Sequence, residues 1–249
     1  MRIGIAGYGK VGKALHKLIY NALIYDPPQG MVDEAALDVD LLFICVPTPV
    51  KKDGSCDTSA VEDVLAKSKA EINIVRSTVW VGFTDWAKYK YKKDIVFMPE
   101  YGPSEFANHP FQDIAKINWA ILGGERLLTN KVAKYWEEIL YNVKIFHTNS
   151  STAELVKLTE NAYFYMKLMF LNHIYDLCGE LNIEYDDLRT MLTEDPRIEA
   201  DHSFIYPDRR QIGGPCLPKD MANLIALSKK NQVTPTLLEL LVSLNELRT

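Results

Sequence analysis

Cys216 lies in the run Gly213-Gly214-Pro215-Cys216-Leu217-Pro218-Lys219-Asp220, which reads as the start of a helix. Proline in a first helical turn forfeits no needed hydrogen bond, so Pro218 places Cys216 at or just before the helix N-terminus. The helix dipole and the unpaired N–H groups there favour a thiolate. Asp220 follows one turn later, which can bring its carboxylate near the thiol. Free cysteine is commonly just a buried apolar side chain. Gly213-Gly214, however, clears backbone space for a ligand, which a core cysteine would not require. Lys157 and Asn161 are spaced i, i+4 and share one helix face. They form either the solvent edge of that helix or a pair projecting into a cleft to polarise a substrate oxygen. A lysine held there would stabilise a developing alkoxide.

A second constellation binds rather than reacts. Gly7-Tyr8-Gly9-Lys10-Val11-Gly12 is a G-x-G-x-x-G between an apolar strand and an amphipathic helix. The glycines permit a tight turn, close approach of a pyrophosphate and close helix–strand packing. The helix N-terminus then faces the phosphates. Asp26 closes the next apolar run, Leu23-Ile24-Tyr25, where a carboxylate accepts from the adenosine ribose and repels a 2'-phosphate. Read alone, Asp26 could merely open the turn before Pro27-Pro28. Strand, glycines, helix and acid together predict a dinucleotide site for NAD rather than NADP.

The elements that must position these groups follow from periodicity. Short apolar runs at 2–6, 23–25, 41–46, 72–75, 95–98, 119–122 and 143–146 predict buried strands. Amphipathic stretches at 10–19, 59–70 and 129–140 fall between them, which predicts a Rossmann-like, doubly wound parallel sheet of the α/β class. Val46-Pro47-Thr48-Pro49, Ser77-Thr78-Val79 and Pro99-Glu100 each follow a strand at its carboxyl end, where open α/β sheets bind ligands. A polar joint at 147–151 divides the chain into a dinucleotide domain, 1–149, and an all-helical domain, 150–249. Ser151 and Glu154 have the spacing of a capping box that opens a long central helix. Leu155, Leu158, Ala162, Met166, Phe170, Ile174 and Leu177 form its expected core stripe. Val156, Tyr163 and Tyr165 widen the apolar surface beyond one face, so the helix is expected to bury a second face in a homodimer. Pro218 and Pro235 mark the starts of two closing helices.

Composition narrows the class. The chain has 249 residues, 47% hydrophobic and 24% charged, with a net charge of -5, which suits a globular protein and argues against nucleic acid as partner. The four cysteines form no C-x-x-C pair and no apolar run approaches the ~20 residues of a membrane helix. A cytoplasmic protein without disulfides, structural metal or membrane span is expected.

In order and type, Gly7–Gly12, Val46–Pro49, Ser77–Val79, Pro99-Glu100, Ala153–Asn161 and Cys216–Asp220 resemble the UDP-glucose/GDP-mannose dehydrogenase family over nearly the whole chain. The Gly-Gly-Pro-Cys-Leu-Pro-Lys-Asp run is the most specific part. The resemblance implies an NAD-dependent four-electron oxidation of a nucleotide sugar's C6 alcohol to the carboxylate, with UDP-glucose the commonest substrate. It implies Cys216 as the nucleophile that carries a thiohemiacetal and then a thioester. It further implies Lys157 and Asn161 on the C6 oxygen, Asp220 and Thr78 positioning water, Glu100 as general base and Thr48 lining the nicotinamide side. After Glu100 the sequence departs from the family, so that a second carboxylate falls at Glu105 or is missing. Relatives continue past the position of Thr249 into a domain that binds the nucleotide. Arg209 and Arg210, just before Gly213, are either replacement contacts to pyrophosphate or simply solvated in a polar loop, unless a separate chain supplies that domain. Two alternatives stand: a two-electron dehydrogenase of the 3-hydroxyacid or 6-phosphogluconate type, and an NAD-binding protein without turnover.

Overall fold

The computed structural model describes residues 1–101 and 117–248, so Glu105 lies outside the described residues. The chain forms two compact units, Met1–Lys51 with Cys56–Lys157, and Lys52–Ser55 with Leu158–Thr249.

The first unit is built on one sheet of β1 (Ile3–Ala6), β2 (Leu23–Asp26), β3 (Met31–Val32), β4 (Leu41–Ile44), β5 (Ile72–Val75), β6 (Ile95–Phe97), β7 (Trp119–Gly123) and β8 (Lys144–Thr148). Their order is β3-β2-β1-β4-β5-β6-β7-β8. Strands β2, β1, β4, β5 and β6 are mutually parallel, β3 is an antiparallel edge on β2, and the parallel pair β7–β8 joins β6 antiparallel. Neighbouring side chains on a strand enter different cores. Phe43 packs with Ile5, Leu15, Ile74 and Trp136, whereas Leu42 and Ile44 pack with Val61, Leu65, Val75 and Phe83. Burial on both faces explains why these strands read as unbroken apolar runs. Helices α1 (Lys10–Leu18), α2 (Ser59–Lys67), α3 (Phe83–Tyr91) and α4 (Arg126–Ile139) complete the unit. Helix α3 carries no sequence signal, since four of its nine residues are aromatic and of middling helix propensity.

Helix α5 (Ser150–Leu181) starts where the polar joint predicts, but its first two turns are compact with the first unit. The expected capping box does not form. Asn149 caps the helix instead, its Oδ1 accepting the N–H of Thr152 at 2.8 Å, while the Glu154 carboxylate is spent on α3. Two neighbouring polar residues both suited to capping made the register ambiguous.

The second unit adds α6 (Tyr185–Leu192), α7 (Leu217–Lys230) and α8 (Thr236–Glu246). Along α5 the buried stripe is Leu158, Ala162, Tyr165 and Met169, packed with Ile212 and Met221. Phe170 and Leu177, expected in the core, are exposed, and Tyr165, expected at a second face, is buried. The stripe is thus turned from the expected one. Asn245 of α8 secures the loop before Cys216, accepting the N–H of Ile212 at 2.8 Å and donating to its carbonyl at 3.0 Å. Among the described residues no helix is long and apolar enough to cross a membrane.

The first turn of α5 sits directly on the end of β7. A Cβ on Gly123 would fall 2.6 Å from the Ala153 Cβ and 3.1 Å from the Ser150 Cα. Two of these neighbours are rigid, so Gly123→Ala should lower stability by about 1–3 kcal/mol through overpacking, read as a lower denaturation midpoint. An unchanged midpoint would mean that this seat is not close-packed.

Candidate active site

Strand β1 is flanked by β2 on one side and β4 on the other, which makes its carboxyl end the point where the chain reverses direction across the sheet. Gly7 stands there at φ 91°, and a Cβ on it would meet the Cys45 carbonyl carbon at 2.7 Å. A Cβ on Gly12 would lie 2.0 Å from the Gly7 carbonyl oxygen, so the third glycine of the motif is what lets α1 approach β1. Among the described residues, Gly9, the N-cap of α1, has no atom within 4 Å of its missing Cβ, and no side chain caps the helix. An open cradle beside uncapped helical N–H groups fits a pyrophosphate. Lys10 and Val11 begin α1 at this opening. Asp26 is buried, and its Oδ2 accepts the Tyr8 N–H at 2.6 Å and the Gln29 side chain at 2.8 Å. Gln29 also donates to the Tyr8 carbonyl at 2.9 Å, so it clasps the acid to the glycine turn. The Tyr8 hydroxyl is turned back along α1 onto His16 Nδ1 at 2.8 Å. Gln29 carries no periodic or motif signal, and sequence reasoning missed it.

The three strand-end segments do fall at the carboxyl ends of adjacent strands β4, β5 and β6. Ser77 Oγ donates to the Val46 carbonyl at 2.7 Å, joining the first two, and Thr48 is buried beside them. Thr78 lends its carbonyl to the Cys56 thiol at 3.2 Å. Glu100, the expected general base, closes the third segment. Its carboxylate is buried against Arg76, whose Nε donates to Oε2 at 3.1 Å, and the Tyr101 N–H donates to Oε1 at 3.0 Å. A carboxylate held by a buried guanidinium on one side and an amide on the other has a fixed orientation at the end of β6. Arg76, which follows β5 directly, was not anticipated. Next to it, burial pushes the Cys45 thiol up to about 12, against the pull of Arg76.

In the second unit, Cys216 is the N-cap of α7 and is exposed, whereas Cys56 and Cys178 are buried and Cys45 half-buried. Asp220, one turn on, is 1% exposed. Its carboxylate accepts from Asn161 Nδ2 on one oxygen and from Lys219 Nζ on the other. Asn161 therefore orients Asp220 in addition to any role on a substrate. Gly213 and Gly214 are exposed, with no atom of the described residues within 4 Å of either missing Cβ. Arg210, an expected pyrophosphate contact, has partners on α5. Its guanidinium donates to Asn172 Oδ1 at 2.7 Å and to Asp176 Oδ1 at 2.5 Å and lies 4.4 Å from the Tyr175 ring, which commits it to α5. Arg248 shares Asp176 at 3.1 Å. Arg209 is exposed, with its guanidinium 5.3 Å from the Tyr206 ring. On α5, Lys157 extends over the Tyr101 ring at 4.7 Å.

Residues 29–142 match the UDP-glucose/GDP-mannose dehydrogenase family, NAD binding domain, and residues 151–247 match the central domain of the same family. UDP-glucose 6-dehydrogenase of Campylobacter jejuni is 30% identical over 87% of this chain and 55% of its own length. The chain spans about half the length of the curated relatives it matches. In fold it is similar to a UDP-glucose dehydrogenase from Pyrobaculum islandicum, with a TM-score of 0.80 at 18% identity over 98% of this chain and 68% of the other. It is likewise similar to a UDP-D-ManNAc dehydrogenase from Pyrococcus horikoshii, with a TM-score of 0.78 at 19% identity over 99% and 68%.

Asp26→Ala should weaken NAD binding by roughly 1.5–3 kcal/mol, the worth of a charge-assisted hydrogen bond, and narrow the preference for NAD over NADP. Fluorescence titration with both reduced cofactors reads this, and an unchanged preference removes Asp26 from the ribose site.

Proposed function

The chain belongs to the UDP-glucose/GDP-mannose dehydrogenase family, and we propose that it oxidises the C6 alcohol of a nucleotide sugar to the carboxylate. UDP-glucose is the leading substrate, after the name of the Campylobacter jejuni relative, with a UDP-N-acetylated sugar as second choice. The observation that carries this reading is the exposed thiol at the N-cap of α7, one turn from a buried carboxylate held on both oxygens. Two-electron oxidation of an alcohol needs no such thiol.

NAD, when bound, accepts the hydride of each of the two oxidations. Lys157 stabilises the negative charge on the C6 oxygen. The Cys216 thiolate adds to the aldehyde carbon, forming a C–S bond, and the oxygen takes up a proton to complete a thiohemiacetal. Loss of that proton and a hydride leaves a thioester on Cys216. Asp220 and Thr78 orient a water that adds to the thioester carbonyl. The C–S bond then breaks and the thiolate returns as the acid departs. Thiolate serves both steps, as nucleophile and as leaving group. Asn161 and Lys219 fix the Asp220 carboxylate for its part. Thr48 lines the nicotinamide side. Arg209, whose guanidinium is exposed, contacts the substrate's pyrophosphate. Glu100 holds Arg76 and the end of β6.

A homodimer belongs to the same reading. Val156, Tyr163, Phe170 and Leu177 recur every seven residues along α5 and are all exposed, at 38%, 53%, 60% and 47%. One apolar stripe of that length is more than soluble monomers usually leave bare. Light scattering should report twice the chain mass, and Phe170→Glu should shift it to the single-chain mass. A single-chain mass for the unaltered protein at all concentrations rules the dimer out.

Incubation with UDP-glucose and excess NAD should yield two NADH per sugar, against one for a 3-hydroxyacid-type oxidation and none for a protein that only binds NAD. Cys216→Ala should abolish the acid while leaving NAD affinity within about twofold, or ~0.4 kcal/mol. Full acid production by that variant would remove Cys216 from the chemistry.

A further inference from the structure

Glu154 has no part in the chemistry above, yet it is 0% exposed and committed to another helix. Its Oε2 accepts the N–H of Gly82 at 2.5 Å, and its Oε1 accepts both the N–H of Thr84 at 2.9 Å and the Thr84 hydroxyl at 2.6 Å. Gly82 is the N-cap of α3, at φ 97°, and has no side chain to offer the unpaired N–H groups of the first turn. Glu154 supplies the missing cap across 70 residues of sequence. Burial pushes its carboxyl up to about 7, opposed by the Thr84 and Gly82 donors. A buried carboxylate is retained at such a cost where its donors need an acceptor. Here all three partners donate, so a group that accepts alone fits them.

What the cap connects makes it more than a helix end. Lys157 follows Glu154 by three residues and shares its face of α5. Thr78 precedes Gly82 by four residues in the turn that leaves β5. The same turn of α5 is seated on β7 at Gly123, so it is fixed from two directions. We propose that Glu154 is a positioning residue for the reaction: by capping α3 from α5, it fixes the turn that carries Lys157 relative to the segment that carries Thr78. The proposal rests on the role given to Lys157 in the proposed function.

A double-mutant cycle with Glu154→Gln and Lys157→Ala on the full chain tests it, with kcat read on UDP-glucose and amide exchange read at Gly82 and Thr84. Glutamine keeps the size but turns an NH2 group toward N–H donors. Glu154→Gln should speed exchange at both amides and lower kcat by on the order of ten- to a hundredfold, the scale of a misplaced catalytic group, with the KM for NAD nearly unchanged. On the Lys157→Ala background the same substitution should lower kcat by less than about twofold, because a group that acts through Lys157 has nothing left to position. Equal losses on both backgrounds, or unchanged amide exchange, overturn the proposal. Should Glu154→Gln not fold, Thr84→Val removes the hydroxyl donor alone. It should give a smaller loss of the same kind that likewise vanishes with Lys157→Ala, and an unaltered kcat overturns the proposal. Absence of wild-type turnover overturns the functional reading and this proposal with it, whereas turnover with additive losses overturns this proposal alone.

Discussion

The cofactor end of the sheet depends on backbone meeting backbone where a side chain would not fit. The ends of β1 and β4 come so close at Gly7 that a Cβ would overlap the Cys45 carbonyl, and α1 leans so near that a Cβ on Gly12 would overlap the Gly7 oxygen. Those two approaches bring the N-terminus of α1 to the place where β1 separates β2 from β4. They also place the first turn of α1 within reach of Asp26, since Tyr8 lies between the two glycines and donates its N–H to that acid. A larger residue at either glycine would move the helix end, the acid and the end of β4 together.

Within each unit buried carboxylates work as fasteners, four of them among the described residues. Asp26 holds the glycine turn, Glu100 the end of β6 through Arg76, Glu154 the start of α3, and Asp220 the start of α7 through Asn161 and Lys219. Each has donors on more than one side, which is the condition under which a buried charge is tolerated. The donors come mostly from loops that follow strands or precede helices. Such segments have no repeating hydrogen-bond ladder of their own, so a carboxylate fixes them where regular structure cannot. A catalytic group on a fastened loop then starts from a defined position, which lowers the entropy to be lost on reaching a reactive geometry.

The sequence discloses the parts that rest on local rules. The glycine motif, the strand-end segments and the proline that starts α7 are legible because glycine conformation, burial on both faces and proline geometry act within a few residues. The polar joint before α5 is legible for the same reason. Fasteners were not legible, because Gln29 and Arg76 acquire meaning from partners that folding brings to them, Tyr8 and Glu100. Arg210 shows the converse. As a sequence pair, Arg209-Arg210 looks like one phosphate clamp, yet Asn172 and Asp176 take one of the two and leave the other exposed. Glu154 fits a capping box by spacing, and the box fails because Asn149 reaches the helix N–H first and α3 offers the glutamate three donors.

Helix α5 shows where periodicity itself stops deciding. When apolar residues surround a helix, several stripes satisfy the i, i+3, i+4 rule equally well, and the hydrophobic pattern no longer names the buried one. Polar side chains settle it. Asn161 and Asn172 are both buried because each has a committed partner, Asp220 for the first and Arg210 for the second. Residues 158, 162, 165 and 169 occupy the same side as this pair and follow it into the core. Turning those inward leaves Val156, Tyr163, Phe170 and Leu177 outward at seven-residue spacing. Had the core been chosen by hydrophobicity alone, Phe170 would outrank Ala162 for burial. The two asparagines, through their partners, therefore decide which face of α5 is core and which apolar face stays exposed.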